Sequence, residues 1–518
     1  MIGLSFVSKL SRGSGRRQGT PARKPAQHRL YLEALEERSL LSANVLQTNL
    51  VSDLPGVARF TDPNLVNPWG ISQGPGPLWI SDNNSGLSTI YNGQGQQQNP
   101  LNPALPPLIV SIPTPGNPAG HTGTPNGTVF NPTILTGSPG FIISDGTHSG
   151  PAIFLFATED GTIVGWNPGV DPTGKFDGPN HVSAHGVLVV DNSGNNFTQP
   201  DPLKQTGAVY KGLTLATDAS GRTLLYAADF RHGSIAVYDT TFKSVTTLPA
   251  GAFTDPHLPQ GYAPFNVQAL NNKIYVTYAL QNAAKHDDVG GAGHGFIDIY
   301  NPDGTPGLPG GKVRLVSHGA LDSPWGLAIA PSTFGSAAND LLVGNFKSGF
   351  IDIYDPTSGQ FHGQLKDPDG EPIRIDHLWA LKVGNGFAGT DTNTVYFTAG
   401  IDNEQHGLFG SLTAAAKGSP EGPADAQAVV AALDVVQIDL ATLIQDMSSG
   451  ASKSTIAQER QTLNRDFATL ERAEQRLAED SHTGQLAGSV ARVPAVQEGA
   501  KALDAVFADL DAHLGDLA

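Results

Sequence analysis

The sequence predicts an all-β protein, a six-bladed β-propeller followed by a C-terminal α-helical appendage. Three observations lead to this fold class. Gly 61 and Pro 38 against 15% charged residues are typical of many short strands joined by tight turns. A unit of three short strands recurs along the middle of the chain. Apolar residues recur at helical spacing only after this repeated region has ended.

The repeat is clearest in two copies that lie far apart in the chain. One contains Pro68-Trp69-Gly70 and the other Pro324-Trp325-Gly326, and each is followed by two further short strands with turn residues between them. Weaker copies span 129–168, 210–239, 264–301 and 378–411, which makes six. Lys211, Phe265, Trp325 and Trp379 occupy the same place in successive copies, 54 to 60 residues apart. A four-stranded blade with its loops fits this period, and four to eight blades close a propeller.

A fourth strand precedes each inner strand of the repeat. Arg314–Ser317 stands before the Trp325 copy, and Asn49–Ser52 stands before the Trp69 copy. No earlier blade exists for Asn49–Ser52 to complete, so we expect it to pair with the last blade near Leu408–Leu412. This pairing closes the ring and hides sheet edges that otherwise invite aggregation.

The recurring Trp and Phe positions allow two interpretations. They form either an aromatic binding ring or the packing of one sheet against the next. Large side chains at one blade position usually serve packing, and the sequence favours that role.

The two ends of the chain differ from its middle. Residues 1–40 hold eight Lys/Arg and three Asp/Glu, and residues after 426 are rich in Ala, Leu, Asp and Gln. Apolar residues such as Val429, Leu433 and Val436 recur there at helical spacing. They form the core of a small bundle or, alternatively, bind a partner. The predicted domains are a basic disordered N-terminal segment (1–44), the propeller (45–415), a linker (416–426) and a helical bundle or hairpin (427–518).

The N-terminal segment carries a second pattern. Leu35–Ala43 resembles the LEPR-XLL segment at the start of many large exported bacterial proteins, with Glu37 where that pattern has Pro. The resemblance implies export to the periplasm, the cell surface or beyond. A disordered basic tail of a cytoplasmic protein is the alternative.

Composition excludes several classes of function. The formal charge is −17 and the basic residues concentrate before residue 40, so the body lacks the basic face that nucleic-acid binding requires. Cys 0 excludes disulfides, thiol catalysis and thiolate metal sites. No uninterrupted apolar stretch approaches the ~20 residues needed to span a bilayer.

The blades also resemble those of known propellers. Their Pro-Trp-Gly and Asp-Asn turns are similar to NHL-repeat and gluconolactonase-like proteins. Asn49–Gly56, Thr61–Gly70 and Asp287–Phe296 more closely resemble an uncharacterised family of exported bacterial propellers. The resemblance covers residues 46–412 and implies the fold. That family brings no established reaction.

Polar residues gather in loops that a propeller places on one face. The loop 281–295 is longer than its counterparts and holds four glycines together with carboxylates and imidazoles that suit a divalent cation. Asp and Asn are also common in turns for conformational reasons alone. The candidate ligand-binding residues are Glu159, Asp229, His286, Asp287, Asp288, His294, Asn345 and Asp402.

Two functions follow from these observations. We expect a binding or scaffold module for an unknown ligand or protein partner. The alternative is a metal-dependent lactonase-type hydrolase with one divalent cation in the central channel, to which Glu159, Asn345 and Asp402 contribute. Three or more acidic or Asn side chains on the axis favour the enzyme, and a channel plugged by apolar side chains favours the binding module.

Overall fold

Six β-sheets form the folded part of the protein. The structure is a computed structural model and describes residues 44–102, 104–116 and 122–415. The innermost strand of each sheet contacts the innermost strands of the two neighbouring sheets, and the last contacts the first, so the sheets form a ring. This arrangement confirms the predicted all-β six-bladed propeller. The predicted segment before residue 44, the linker and the helical appendage lie outside the described residues.

Each blade is numbered in chain order and starts with its innermost strand. Short 3₁₀ turns at Pro132–Leu135, Pro202–Lys204, Pro309–Gly311 and Gly335–Ala337, a helical turn at Ile401–Glu404 and a small hairpin, Ile142–Ser144 with Ser149–Pro151, lie between the strands. The strands are, in blade 1, Pro68–Gln73, Leu78–Asp82, Leu87–Tyr91 and Val110–Ser111; in blade 2, Pro125–Phe130, Phe154–Thr158, Thr162–Trp166 and Val187–Asp191; in blade 3, Tyr210–Thr217, Thr223–Asp229 and Ser234–Tyr238; in blade 4, Tyr262–Leu270, Lys273–Leu280, Phe296–Tyr300 and Arg314–Ser317; in blade 5, Pro324–Ile329, Leu341–Asn345, Ile351–Tyr354 and Phe361–Gln364; and in blade 6, Leu378–Val383, Thr394–Ala399, Leu408–Ala414 and Val45–Ser52, the last with Phe60–Thr61 beside it.

The ring closes through the first strand of the chain. Val45–Ser52 runs antiparallel to Leu408–Ala414, with Ser52 opposite Leu408 and Val45 opposite Ala414. This is the predicted closure, and it gives blade 6 its fourth strand. Blade 3 has three strands among the described residues, although the repeat period predicts four. Its chain continues through turns that contain Pro249, and proline has no N–H for a strand ladder.

Every inner strand carries a bulge near its start. The pairing register with the second strand shifts there in all six blades, as between Pro264 and Asn266 in blade 4. A bulge re-aims the side chain of the extra residue. We call the six residues at this position the axial residues: Trp69, Asn126, Lys211, Phe265, Trp325 and Trp379.

Four axial residues form an aromatic plug. Trp69, Phe265, Trp325 and Trp379 are 0–4% exposed. Trp69 stacks on Trp379 with ring centroids 3.5 Å apart, and Trp325 meets both rings edge-on. The rings therefore pack on one another where the six inner strands meet, as well as between neighbouring sheets.

The residue after the axial position is small where neighbouring inner strands approach most closely. A Cβ on Gly70 would lie 2.3 Å from the carbonyl oxygen of Asn126, and one on Gly127 would lie 2.3 Å from the backbone nitrogen of Leu213. No real Cβ contact is this short, so the ring closes tightly only with glycine at these two positions. Asn266 in blade 4 instead donates a 2.7 Å hydrogen bond to the carbonyl of Trp325.

Candidate functional site

A buried lysine lies beside the aromatic plug. Lys211 is the axial residue of blade 3, and its side chain is 2% exposed. Its ammonium is ion-paired with Glu159 and lies 3.6 Å from Oδ1 of Asp287. The same nitrogen is 5.0 Å from the ring centroid of Trp69, within the range of a cation–π interaction. Blades 1 to 4 thus meet at one charged group.

The two carboxylates reach Lys211 from different loops of one face, here called the upper face. Glu159 directly follows the second strand of blade 2, and Nδ2 of Asn83 donates a 2.9 Å hydrogen bond to its Oε2. Asp287 belongs to the loop 281–295 of blade 4. Nδ1 of His286 lies 2.8 Å from its Oδ1. Both carboxylates are therefore oriented by groups other than the lysine.

These neighbours govern the charge of the pair. Burial lowers the pKa of Lys211, but the carboxylates of Glu159, Asp287 and Asp288 outweigh burial and hold it above its ordinary value. The side chain of Asp287 is 61% exposed, and the protein around it still removes enough water to raise its pKa. The hydrogen bond from His286 and the charge of Lys211 outweigh this and bring the pKa well below its usual range. The lysine and Asp287 are therefore both ionised at neutral pH.

A third carboxylate comes from blade 6. Glu404 accepts a 3.1 Å hydrogen bond from Nδ2 of Asn67, whose Oδ1 accepts one of 3.0 Å from Nε1 of Trp379. Burial and then the nearby charge of Glu159 raise the pKa of Glu404. Three successive residues here have positive φ, 53° at Asp402, 52° at Asn403 and 69° at Glu404, a costly conformation for residues other than glycine.

A second lysine completes the group. Nζ of Lys347 lies 3.8 Å from Oδ1 of Asp288 and 4.1 Å from the ring centroid of Phe346. The side chain of Asp288 is 5% exposed, and burial raises its pKa. We call the whole set the upper-face cluster: Glu159, Lys211, His286, Asp287, Asp288, Lys347 and Glu404.

The structure thus brings four of the eight predicted ligand-binding residues together and leaves the other four outside the upper-face cluster. Asp229 is 2.7 Å from Nδ1 of its neighbour His232 in a turn. Asn345 is fully buried, where its Nδ2 donates to Asp352 at 2.9 Å and its Oδ1 accepts from the backbone of Asp322. Both side chains are engaged in local structure.

The remaining two candidates lie on the upper face and make local contacts. The backbone N–H of Asp402 donates a 3.0 Å hydrogen bond to Asp376. Nδ1 of His294 lies 2.9 Å from the carbonyl oxygen of Val289 and so stays within its own loop. Neither contact connects these residues to Lys211.

Three members of the cluster have metal-ligating geometry. One ligand atom each from Glu159, His286 and Asp287 lies within 4.8 Å of the others. Carboxylates and imidazole suit a divalent cation. The ammonium of Lys211, however, already lies against both carboxylates and repels a second cation at that point. The residues present therefore fit a metal ion less well than they fit the lysine.

The sequence prediction did not include Lys211 or Glu404 among the ligand-binding residues. Lys211 was recognised only as one of the equivalent positions of the repeat. A lysine where other copies hold Trp or Phe is itself an indication of a special role, because an unpaired buried ammonium is costly.

Among the residues that the structure describes, no helix is long and apolar enough to cross a membrane.

Comparison with family models gives no match. An aldose sugar dehydrogenase from Streptomyces coelicolor, in its PQQ-bound form, shares 11% identity over 72% of this chain and 99% of its own, with a TM-score of 0.37. A glucose dehydrogenase shares 13% identity over 71% and 100%, also with a TM-score of 0.37. At these values the similarity carries no argument about activity.

Two relatives come from Acanthamoeba polyphaga mimivirus, whereas the sequence resemblance predicted a bacterial family. One uncharacterised protein is 29% identical over 367 residues, which are 70% of this chain and 84% of its own length. Another uncharacterised protein is 32% identical over 366 residues, 70% of this chain and 78% of its own length. The chain therefore belongs to the same family as this second mimivirus protein.

Proposed function

We propose that the protein is a binding module that holds a positively charged group of its ligand at the upper-face cluster. The observation that carries this proposal is the gathering of four carboxylates around two lysines beside an aromatic plug. Loops on a rigid scaffold commonly form binding sites, and clustered groups with perturbed pKa values are typical of them.

The aromatic plug supports binding over chemistry within the channel. Trp69, Trp325 and Trp379 are almost fully buried and fill the space where the inner strands meet. A ligand is then held on the upper face rather than inside the ring. The aromatic plug also excludes water, which strengthens the electrostatic interactions of the charged groups beside it.

The balance of charge indicates the ligand class. Glu159, Asp287, Asp288 and Glu404 outnumber Lys211 and Lys347, so the cluster is acidic. The side chain of Asp287 is 61% exposed and available to a ligand, whereas that of Lys211 is 2% exposed and is not. Lys211 thus acts as an internal counter-ion that holds the carboxylates together. The negative charge that the two lysines do not neutralise suits an organic ammonium group of a ligand.

Calorimetric titration with alkyl diamines and polyamines tests this function. Diols and dicarboxylates of matched length serve as control ligands. We expect saturable diamine binding that Asp287→Asn weakens and that Glu371→Gln, an exposed acid outside the cluster, leaves unchanged. Failure of every diamine to bind, or equal binding by Asp287→Asn, contradicts the proposal.

A metal-dependent hydrolase of the lactonase type is the second candidate. It is supported by the ligand atoms of Glu159, His286 and Asp287, which lie within 4.8 Å of one another, and it requires the ion to displace the ammonium of Lys211 from the two carboxylates. Elemental analysis of protein purified without chelator, with melting curves before and after EDTA, tests it. One divalent ion that is lost in Asp287→Asn, together with a melting temperature that EDTA lowers, would favour the hydrolase and justify a screen of lactones and esters.

We also propose that the protein acts outside the cell. The support is the resemblance of Leu35–Ala43 to an export segment. Fractionation of cells that produce the full chain tests this, with a variant lacking residues 35–43 as the control. Equal retention of both proteins in the cytoplasm contradicts it.

A further inference from the structure

A second group of ligating side chains lies away from the upper-face cluster. We propose that Asp171, Asp177 and His185 bind one divalent cation, with Zn²⁺ as the representative probe. All three belong to the connection between the third and fourth strands of blade 2, Thr162–Trp166 and Val187–Asp191. The site is independent of the proposed ligand-binding function.

The three side chains converge closely. One ligand atom from each lies within 4.8 Å of the other two, and Nε2 of His185 is 2.9 Å from Oδ1 of Asp177. Two carboxylates and one imidazole are a donor set that suits Zn²⁺ and similar ions. Three protein ligands leave the remaining coordination positions to water.

Asp171 is held in place before any ion binds. It is 1% exposed, and its Oδ1 accepts hydrogen bonds from the backbone nitrogen and the hydroxyl of Thr173, at 2.8 and 2.7 Å. Its Oδ2 accepts one from the backbone nitrogen of Phe176, at 3.0 Å. A carboxylate oxygen has two lone pairs, so Oδ2 keeps one for a cation.

His185 is oriented by a residue of another blade. Nδ1 lies 2.8 Å from the hydroxyl oxygen of Ser111, and that hydroxyl donates its own proton to the carbonyl of Ala184 at 3.3 Å. The hydroxyl of Ser111 thus holds the ring in place through Nδ1. A cation bound by Nε2 and the carboxylate of Asp177 takes the place of the proton between them, and Nδ1–H then donates to the hydroxyl oxygen of Ser111.

This hydrogen bond has the form found around metal-bound imidazoles. A ligating histidine usually donates its other N–H to an oxygen that fixes the ring. The fixed ring and the fixed Asp171 carboxylate leave only Asp177 to adjust, and its side chain is 47% exposed. An ion thus has access from solvent and a largely preformed site.

Binding here has a structural consequence for the ring. The backbone of Ser111 pairs with the same connection, through Ser111 N–H to Ala184 O at 2.8 Å and Gly186 N–H to Ser111 O at 2.9 Å. A bound ion therefore stiffens the segment of blade 2 that pairs with the outer strand of blade 1. We expect it to raise the melting temperature of the protein as well as to bind.

Zinc titration of the full chain tests the site. The protein carries Asp287→Asn, which disables the upper-face group, and is dialysed against EDTA and then against buffer without chelator. We expect one saturable Zn²⁺ site. Asp177→Asn and His185→Gln should each weaken it at least about tenfold, and Ser111→Ala about 10–100-fold as a positioning residue.

His181→Gln is the matched control, because it removes another imidazole of the same connection that is not part of the group. It should leave the affinity unchanged. If His185→Gln fails to fold, Asp177→Asn carries the test, since that side chain is half exposed. The proposal is overturned if the protein binds no Zn²⁺ or if neither substitution changes the affinity.

Discussion

Blades 2 and 3 differ from the other four blades at a single equivalent position. The bulge of each inner strand presents an aromatic ring in blades 1, 4, 5 and 6, whereas blade 2 presents Asn126 and blade 3 presents Lys211. A register shift occurs at this position in all six blades. The side chain alone decides whether the position fills the axis or organises polar groups.

In blades 2 and 3 the axial residue connects neighbouring blades. Nδ2 of Asn126 donates a hydrogen bond to the carbonyl of Tyr210 and so links blade 2 to blade 3. Lys211 links blade 3 to Glu159 of blade 2 and Asp287 of blade 4. The four aromatic axial residues supply apolar packing, and Lys211 gathers carboxylates from blades 2 and 4 on the upper face. A candidate site arises where the repeat departs from its own pattern.

Replacing the axial lysine should give the largest effect. Lys211→Met leaves Glu159 buried without its counter-charge, so we expect a loss of about 3–5 kcal/mol in the free energy of unfolding. Urea denaturation measures it. Adding Glu159→Gln should restore part of the loss.

Lys382→Met is the matched control for this effect. Lys382 lies on the inner strand of blade 6, burial lowers its pKa, and it has no ion pair within residues 44–102, 104–116 and 122–415. Its removal should leave stability unchanged or slightly higher. Equal losses in both lysine variants would show that the ion pair in blade 3 is not special.

The next effect concerns pH and blade 2. Burial raises the pKa of Asp160, which follows Glu159, to about 6. The folded protein therefore holds this proton more tightly than the unfolded chain, and the stability it contributes at low pH is lost as the pH rises from about 4 to about 6. The loss should amount to about 2–3 kcal/mol. Asp160→Asn should flatten this part of the profile of unfolding free energy against pH, and an equally steep profile would contradict the assignment.

Glycine substitution tests how closely the inner strands of blades 2 and 3 pack. Gly127→Ala places a Cβ 2.3 Å from the backbone of Leu213 and should cost about 1–3 kcal/mol. Gly76→Ala, where no atom lies within 4 Å of the new Cβ, should cost little. Melting temperatures of the two variants compare them directly. Similar values would mean that the inner strands separate easily.

The smallest effect is the difference between two tryptophans of the aromatic plug. Nε1 of Trp325 donates a 2.9 Å hydrogen bond to the carbonyl of Lys211, whereas Nε1 of Trp69 is buried without a partner among the described residues. Trp325→Phe should therefore cost about 1 kcal/mol more than Trp69→Phe, because it leaves a buried carbonyl unpaired. Urea denaturation of both variants gives the difference, and a larger loss in Trp69→Phe would contradict it.

Much of this architecture could be predicted from local patterns. The repeat spacing and the leftover strand Asn49–Ser52 were sufficient to predict six blades and the closure of the ring. The start of blade 2 was harder, because Pro125-Asn126-Gly127 replaces the aromatic residue that marks other copies. Among the described residues blade 3 has three strands because its chain continues through turns, and the repeat period does not reveal this.

The candidate site was predictable only in part. The long, polar loop that contains His286, Asp287 and Asp288 is sufficient to predict these three as ligand-binding residues. Their convergence with Glu159 depends on the angular placement of blades 2 and 4 around the ring, which spacing along the chain does not give. Asp229 and Asn345 have the same residue types in similar turns, yet their side chains are engaged in local hydrogen bonds.

The closing pair of strands in blade 6 also sets how the ring responds to force. Val45 lies opposite Ala414, and the N–H of Ala415 donates a 2.9 Å hydrogen bond to the carbonyl of Asn44, so the chain enters and leaves the propeller side by side. Tension between these two points breaks the hydrogen bonds between the two strands one after another, from Val45 towards Ser52. Blade 6 should therefore peel first when the ends are pulled apart, and the loss of one strand would expose the edge that the ring otherwise conceals.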